Sequence, residues 1–355
     1  MNKVLVGMSG GVDSAVSAWL LKEQGYEPVG ANCRFFDNED AFIKEKTCCS
    51  LEDALDARSV ADKLGIPFHV FNFKADFRSK VIEKFVDTYV SGGTPNPCID
   101  CNRYLKFGRL LSRALELGMD YVATGHYVIK EYDGCSGRYL LKKGADRAKD
   151  QSYVLFCLTQ FQLEHSLFPL GEYHKSEIRK IAEEHGFVNA KKHDSQDICF
   201  VPDGDYAQFI EKTLGRLFPH GDFVDTAGHR LGEHKGIIRY TIGQRRGLGL
   251  ALPAPLYVKS KDVESNSVIL SPESELFSKR LEAADINLIP FDSINGSIRV
   301  RAKVRYKQPE QWASVTQIGE DRLLIEFDEP QRAIAKGQAV VLYDGEYVVG
   351  GGTIL

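Results

Sequence analysis

This chain of 355 residues has no apolar run near the roughly 20 residues that a membrane-spanning helix needs. Its first residues, MNKVLVGMSGG, lead directly into a predicted strand and show no signal-peptide pattern. The eight cysteines are too sparse for a disulfide framework and suit a reducing compartment. The formal net charge of −4 provides no overall basic charge for nucleic acid. We therefore expect a cytoplasmic globular protein without membrane contact, in which any polyanion meets local basic patches.

Repeats and low-complexity tracts are also lacking, and the length predicts two or three domains. Strands alternate with helices up to about residue 205, which predicts an α/β domain with a doubly wound parallel sheet over residues 1–205. Within it, the turn residues Asp133-Gly134 and Ser136-Gly137 predict a hairpin over 128–141. We predict a small mixed α and β domain over 206–280. Short strands separated by Gly and Pro turns predict a C-terminal β-barrel over 281–355. Ligands of such a parallel sheet gather at the carboxyl ends of its strands.

The first such end carries a glycine-rich turn. Val4–Val6 predict a short strand, Gly7–Gly11 a turn, and the residues after Ser14 an amphipathic helix. Glycines allow backbone N–H groups to approach an anion, and the amino end of the helix favours negative charge. Asp13 offers a carboxylate to a metal ion. The turn lacks the lysine of GxxxxGK[ST] and does not match GxGxxG. The string SGGVDS instead resembles the pyrophosphate loop, or PP loop, of enzymes that split ATP into AMP and pyrophosphate.

A second informative stretch is NPCIDCN, residues 96–102. Pro95 and Pro97 are expected to hold the approach extended, and a helix predicted to begin near Asn102 and to run to Leu117 places its amino end under Cys101, which favours a nucleophilic thiolate. Alternatively, Cys98 and Cys101 are half of a zinc site, for which Cys48 and Cys49 are candidate partners. The spacing alone leaves both interpretations open.

A further cysteine, Cys199, lies in the segment HDSQDICFVPDGD, with Asp194, Ser195 and Asp197 nearby. A lone cysteine between Ile198 and Phe200 is usually a packing residue. The acidic and glycine-containing flanks indicate mobility instead, which a sulfur carrier needs.

Six motifs occur in a fixed order: SGGVDS, NPCIDCN, ATGHY, KDQSY, the SQDICF loop and GQAVVLYDGEYVVGGGTI. Together they resemble the tRNA-specific 2-thiouridylase family over essentially the whole chain. The resemblance implies an enzyme of the PP-loop type that uses ATP and Mg to adenylate the 2-oxo group of the wobble uridine in tRNA anticodons. Sulfur then replaces the oxygen, giving 2-thiouridine, AMP and pyrophosphate. The implied partners are tRNA and a protein that donates persulfide sulfur.

The resemblance also implies roles for single residues. Cys101 matches the nucleophile and Cys199 the persulfide carrier, and in the family the two form a disulfide when the sulfur leaves. We add Asp13 to the catalytic set. The implied ATP contacts are Gly7, Met8, Ser9, Gly10, Gly11, Val12, Asp13, Ser14, Cys33 and Gly125. The implied tRNA contacts are Asn96, Pro97 and Cys98 at the target base, His126 beside the nucleotide, and Lys149, Asp150, Gln151, Arg305, Tyr306 and Gln338. For His126, a structural histidine at a strand end is the alternative.

Cys98 departs from many family members, which have Asp at this position. Cys98, Cys101 and Cys199 would together provide three thiols, enough for an iron–sulfur cluster with one iron open to sulfur. The alternative, which we favour, is that Cys98 is a spare or resolving thiol. We assign no other metal site.

A basic stripe is predicted at 297–307, where charged residues alternate with apolar ones. The alternation places Arg299, Arg301, Lys303, Arg305 and Lys307 on one strand face. With basic clusters at 142–149 and 239–246, this stripe predicts an RNA-binding track. The alternative is a solvated edge strand protected by its charges. Rival functions are an ATP pyrophosphatase that acts on a small molecule and an RNA-binding module whose ATP loop is regulatory.

Overall fold

The computed structural model describes residues 2–37, 51–190, 192 and 198–355. Its α-helices are α1 (Val12–Glu23), α2 (Leu51–Leu64), α3 (Lys74–Phe77), α4 (Glu83–Val90), α5 (Pro97–Asp100), α6 (Leu110–Glu116), α7 (Gln160–Glu164), α8 (Lys175–Glu184) and α9 (Tyr206–Leu214). The first strands are β1 (Lys3–Gly7), β2 (Glu27–Arg34), β3 (Phe68–Asn72), β4 (Tyr121–Ala123), β5 (Val128–Asp133), β6 (Arg138–Lys143) and β7 (Ser166–Leu167). The later strands are β8 (Gly221–Val224), β9 (Arg230–His234), β10 (Tyr257–Asp262), β11 (Ser267–Ser271), β12 (Phe277–Leu288), β13 (Ser297–Lys303), β14 (Gln311–Gly319), β15 (Arg322–Arg332), β16 (Ala339–Asp344) and β17 (Tyr347–Ile354). No helix in the described part of the chain is long and apolar enough to cross a membrane.

The amino-terminal sheet is parallel, with strand order β3-β2-β1-β4-β7. Its central strand β1 is buried on both faces. Val4 and Val6 pack into a core with α1, α2 and α8, whereas Leu5 packs into a second core with the helices of residues 74–116. Helices therefore cover both faces, and the predicted doubly wound α/β fold is confirmed.

The helix that carries the NPCIDCN cysteines begins earlier than predicted. α5, a π-helical segment Cys101–Arg109 and α6 follow one another without a break, and we call this element the thiol helix. It starts at Pro97, because proline fits the first turn of a helix, where its missing N–H is not needed. The predicted start near residue 102 was therefore wrong. Cys98 lies at the amino end of the helix, and Cys101 lies one turn inside it.

Residues after the first sheet form two further sheets. A four-stranded sheet has the order β10-β11-β8-β9, and α9 precedes it in the chain. The last six strands close into an antiparallel barrel, β12-β15-β14-β13-β16-β17, through pairing of β12 with β17. The predicted C-terminal β-barrel is confirmed. The hairpin of β5 and β6, predicted from its Asp-Gly and Ser-Gly turn residues, joins the barrel at β17, where Tyr347 pairs with Lys142.

The predicted basic stripe is shorter in the structure. β13 ends at Lys303, so Arg305 and Lys307 lie beyond the strand and do not continue its face. β13 lies between β14 and β16 in the closed barrel, so it is not an edge strand. The prediction of five basic residues on one face and its edge-strand alternative were both wrong, because the chain turns after Lys303.

Candidate active site

A cavity of about 210 Å³ lies at the carboxyl end of the parallel sheet, where β1, β2 and β4 end. It is lined by Gly7, Met8, Ser9, Asp13, Ser14, Ala31, Asn32, Cys33, Phe35, Lys106, Leu110, Thr124, Gly125, His126 and Gln151. Backbone and hydroxyl groups of the PP loop form one side, and apolar side chains such as Phe35 and Leu110 form another. Such a mixture suits a nucleotide, with phosphates at the loop and a purine ring at the apolar wall.

The PP loop is held in shape by hydrogen bonds to its backbone. Met8 N donates to Ala31 O at 2.7 Å, and Asn32 Nδ2 donates to Met8 O at 2.9 Å. Gly10 has φ +80°, and a Cβ there would lie 2.4 Å from the backbone oxygen of Asp53. The described residues that line the cavity do not include Gly10, Gly11 and Val12. These three residues connect the cavity-lining part of the loop to α1.

Asp13 is the one carboxylate among the described residues that line this cavity. Its two oxygens accept from Lys175 Nζ at 2.7 and 2.8 Å, and Oδ1 also accepts from Tyr127 Oη at 2.8 Å. Gly125 packs against it closely, since a Cβ there would lie 2.9 Å from Asp13 Cβ. A metal ion at Asp13 must therefore compete with the Lys175 ammonium for both oxygens.

Two thiols and a lysine share the region between β2 and the thiol helix. Burial, together with the nearby Cys101 thiol, raises the pKa of Cys33 to about 12, and Lys106 opposes this. Lys106 and Cys33 both line the cavity. Lys106 thus lies at the cavity and near the Cys33 thiol.

His126 is buried, and its Nδ1 lies 2.7 Å from Thr124 Oγ1. Burial and, to a smaller extent, Lys106 hold the pKa of His126 well below its ordinary value. The imidazole is therefore neutral at pH 7. It can exchange hydrogen bonds with a nucleotide or base but cannot bind a phosphate through charge.

Tyr306 and Gln338, both predicted to contact tRNA, lie where the barrel approaches the thiol helix. Tyr306 Oη donates to Asp150 O at 2.7 Å. Burial chiefly raises the pKa of Tyr306, and the neighbouring Asp150 and Cys98 add to the effect. Gln338 Nε2 donates to the carbonyls of Thr94 at 3.1 Å and Pro95 at 3.2 Å. This amide supports the segment that leads into the thiol helix.

Five of the basic residues considered for an RNA track form ion pairs with carboxylates of the protein. The pairs are Lys142 with Glu131, Lys143 with Glu310, Arg147 with Glu346, Arg239 with Glu211 and Arg299 with Asp328. Arg305 is directed inward, and its Nη2 donates to Ile242 O and Ala333 O at 3.0 and 2.9 Å. Arg301 lies over the half-exposed ring of Trp312, at 5.0 Å from its centroid. These ion pairs reduce the net positive charge along the predicted RNA-binding track, which stays a prediction.

Cys199 lies in a turn closed by a bond from Val201 N to Ile198 O at 2.8 Å. The next residue, Phe200, is 1% exposed and packs edge-on against Phe77 and Phe85 at ring centroid distances of 5.6 and 5.2 Å. Phe200 thus anchors the turn that presents the Cys199 thiol. Cys33, Cys101 and Cys199 all border the same hydrophobic core.

The described residues contain no group of three His, Cys, Asp or Glu side chains placed to hold a metal ion. Cys98, Cys101 and Cys199 thus do not form an iron–sulfur site in this structure. No further described residue is placed to complete a zinc site with Cys98 and Cys101. The candidate zinc partners Cys48 and Cys49 lie outside the described residues, as do Asp194, Ser195 and Asp197 of the Cys199 loop. Cys157 is a core thiol, since it is 2% exposed and burial raises its pKa to about 11.

Comparison with known proteins identifies the family of this chain. A model described as the tRNA methyl transferase HUP domain matches residues 2–203. Models described as the tRNA methyl transferase PRC-barrel domain and the aminomethyltransferase beta-barrel domain match residues 207–272 and 278–354. The tRNA-specific 2-thiouridylase MnmA 1 of Thermoanaerobacter sp. (strain X514) is 53% identical over 355 residues, covering 99% of this chain and 98% of the relative. The chain belongs to the tRNA-specific 2-thiouridylase family.

Family membership confirms the resemblance seen in the six motifs. The 2-thiouridylase MnmA of Clostridioides difficile (strain 630) is 50% identical over 352 residues, covering 99% of this chain and 98% of the relative. A solved 4-thiouridine synthetase–RNA complex with bound ATP has a TM-score of 0.39 and 18% identity, covering 60% of this chain and 50% of that chain. That likeness is too distant to support an inference.

Within this 2-thiouridylase chain, sequence reasoning missed several residues of the site. Tyr127 belongs to the ATGHY motif, so the motif itself could have indicated it. Lys175 begins a helix about 160 residues after Asp13, and Asn189 donates to Gly10 O at 3.1 Å from a similar distance along the chain. No local pattern marks these two, because the fold alone brings them to the PP loop.

Proposed function

We propose that this protein is a tRNA 2-thiouridylase, a sulfurtransferase that adenylates the 2-oxo group of the wobble uridine with ATP and replaces it with sulfur from a cysteine persulfide. The observation that carries the proposal is the cavity shared by the PP loop and the thiol helix, in a chain that is 53% identical to a named 2-thiouridylase over nearly its full length. The proposed division of labour is adenylation and sulfur transfer within residues 1–205, with tRNA positioning by residues 206–280 and 281–355.

The first half of the proposed reaction requires ATP at the PP loop. The uridine 2-oxo oxygen attacks the α-phosphorus, the bond to pyrophosphate breaks, and pyrophosphate leaves with the electron pair. Loss of the N3 proton to solvent leaves a neutral adenylated uridine. This step is needed because a urea-like carbonyl oxygen is a poor leaving group, whereas AMP is a good one. The hydroxyls of Ser9 and Ser14, which line the cavity, would supply donors to the phosphates.

Mg²⁺ would neutralise phosphate charge, and Asp13 is the residue that would hold it. Mg²⁺ commonly binds through one or two carboxylates plus substrate phosphates, so a single carboxylate is sufficient in number. Its pairing with Lys175 means that the ion would bind together with the nucleotide and not to the protein alone.

The second half transfers sulfur. The terminal sulfur of a persulfide on Cys199 attacks C2 of the adenylated uridine, and AMP leaves with the oxygen and the electron pair. The Cys101 thiolate then attacks Cys199 Sγ, so the bond between the two sulfurs of the former persulfide breaks, with its electrons remaining on the base. The products are 2-thiouridine and a disulfide between Cys101 and Cys199, which a thiol reductant must reduce. We propose that a separate persulfide-bearing protein reloads Cys199.

We propose that tRNA is held across the junction of the thiol helix and the barrel. Asn96, Pro97 and Cys98 would meet the target base, with Lys149, Asp150, Gln151, Arg305, Tyr306 and Gln338 around it. In this arrangement Gln338 and Arg305 act through the backbone groups that they hold. Base recognition in RNA loops depends on splayed bases, so a shaped pocket suits this substrate better than an extended charged surface.

A single-turnover experiment tests the function. Iron-free protein preloaded with persulfide is given ATP, Mg²⁺ and tRNA, and both released pyrophosphate and 2-thiouridine are measured, the latter by nucleoside mass spectrometry. We expect product from the wild type and from Cys135→Ser, a control at an exposed thiol, and none from Cys101→Ser or Cys199→Ser. Binding of tRNA without pyrophosphate release would favour an RNA-binding module. Pyrophosphate release without thiolation would move the sulfur step to a cluster that includes Cys98, which iron and labile-sulfide analysis of anaerobically prepared protein would then have to detect.

A further inference from the structure

The PP loop has no lysine of its own, yet a buried ammonium reaches it from another element. Lys175 is 8% exposed, and its Nζ lies 2.7 and 2.8 Å from the two oxygens of Asp13. Asp13 lines the cavity, so this positive charge is within one hydrogen-bond length of a cavity wall. Tyr127 Oη donates to the same carboxylate at 2.8 Å and fixes its orientation.

Two helix amino ends meet at this point. α1 begins at Val12, next to Asp13, and α8 begins at Lys175 itself. Each carries the partial positive charge of its unpaired N–H groups. The amino end of α8 is capped by two carboxylates. Glu177 Oε2 accepts from His174 N at 2.7 Å, and Asp146 Oδ2 accepts from Lys175 N at 3.0 Å. The position of the lysine is therefore set by backbone contacts and not by Asp13 alone.

We propose that Lys175 is the cation that binds the β- and γ-phosphates of ATP, and the leaving pyrophosphate, at this site. It supplies the charge that other phosphate loops take from a lysine within the loop. Asp13 and Tyr127 are then positioning residues that hold the ammonium before the nucleotide arrives. This inference rests on the proposed ATP-dependent function of the cavity.

The chemistry favours a phosphate-binding role over a purely structural ion pair. The Lys175 ammonium loses hydration in this pair, whereas the Asp13 side chain stays 31% exposed toward the cavity, so the pair by itself is weak evidence for a stabilising role. A lysine side chain has a flexible four-carbon stem, so Nζ can exchange a carboxylate oxygen for a phosphate oxygen while the start of α8 remains in place. That exchange would also free Asp13 for a magnesium ion that enters with the phosphates.

Direct binding measurements test this role without tRNA. We would titrate pyrophosphate, ATP and AMP, each with Mg²⁺, into wild type, Lys175→Met and Lys175→Arg, using calorimetry. The matched control is Lys180→Met, on the same helix with its side chain 77% exposed. We expect Lys175→Met to weaken pyrophosphate and ATP binding at least tenfold with AMP binding within twofold of wild type, and Lys175→Arg to recover part of the loss. Equal losses for AMP and pyrophosphate, or no loss for either, would overturn the proposal.

A double variant separates the lysine's own charge from the charge it masks. In Lys175→Met the Asp13 carboxylate keeps its hydrogen bond from Tyr127 but loses its ammonium partner, and its charge would itself repel pyrophosphate. Asp13→Asn combined with Lys175→Met removes that uncompensated charge and its repulsion. We expect pyrophosphate binding to stay weak in the double variant; recovery to the wild-type value would show that Lys175 serves only to neutralise Asp13. Wild-type protein that binds neither ATP nor pyrophosphate would instead contradict the proposed function itself.

Discussion

The aromatic anchor beside Cys199 gives a prediction that separates the two half reactions. Phe200 is 1% exposed, and its ring lies 5.1 to 5.6 Å from the rings of Phe77, Phe85 and Phe209. Replacing a buried phenylalanine by alanine costs about 3–5 kcal/mol. If about 3 kcal/mol of that holds the Cys199 turn in place, Phe200→Ala shifts the ratio of docked to undocked turn by roughly a hundredfold, since about 1.4 kcal/mol corresponds to a factor of ten.

The expected result for Phe200→Ala is single-turnover thiolation reduced by a factor of ten to a hundred, with ATP-dependent pyrophosphate release close to wild type. Both rates would be measured well below the melting temperature, which circular dichroism gives for each variant. Phe161→Ala is the control, since this phenylalanine is 54% exposed and lies outside the anchor. Phe200→Leu should fall between the two. Parallel loss of pyrophosphate release and thiolation in Phe200→Leu, at an unchanged melting temperature, would refute the anchoring argument.

Three further changes probe other parts of the site. Gly10→Ala should abolish ATP binding in titration calorimetry, because φ is +80° and the new Cβ would lie 2.4 Å from a backbone oxygen. The control is Gly118→Ala, where φ is +69° and the space is open, and it should cost only about 1 kcal/mol of stability. Retained ATP binding in Gly10→Ala would contradict this interpretation. Burial lowers the pKa of His126, so as the pH falls the unfolded state binds a proton before the folded state does. The free energy of unfolding should therefore fall by up to about 1.4 kcal/mol per pH unit below about pH 6.5. His126→Asn should flatten that slope in denaturant titrations. Gln338→Leu removes two hydrogen bonds to backbone carbonyls, so kcat/KM for tRNA should fall by about tenfold while ATP binding stays unchanged; loss of both would indicate general unfolding.

The fold was largely predictable because its signals are local and periodic. The run of Val4, Leu5 and Val6 before a glycine turn predicted β1, and the turn residues of the β5–β6 hairpin predicted its position. What the sequence could not show was that this hairpin adds to the sheet of the C-terminal barrel. Pairing between Lys142 and Tyr347 joins residues about 200 positions apart, and no short-range pattern encodes such a contact.

The errors have specific physical causes. The predicted start of the thiol helix was too far along the chain, because Pro97 was expected to keep the chain extended. Pro97 instead occupies the first turn of the helix. The predicted basic stripe was too long, because basic and apolar residues continue to alternate in the sequence after Lys303 although the strand ends there. Arg305 then follows its own hydrogen bonds to two backbone carbonyls and not the strand face. Periodicity predicts a side chain's direction only while the element lasts.

Contacts from the barrel reach both ends of the site, which changes how the barrel should be regarded. Gln338 holds the backbone just before the thiol helix, and Asp285 accepts from Arg103 Nη1 at 2.5 Å, two residues after Cys101. Asp285 has φ +53°, a conformation uncommon for a residue with a side chain, at an irregular point of β12. Tyr306 donates to the backbone of Asp150, beside the cavity-lining Gln151. Since these contacts fix the thiol helix and the cavity edge relative to one another, the barrel is part of the support of the active site.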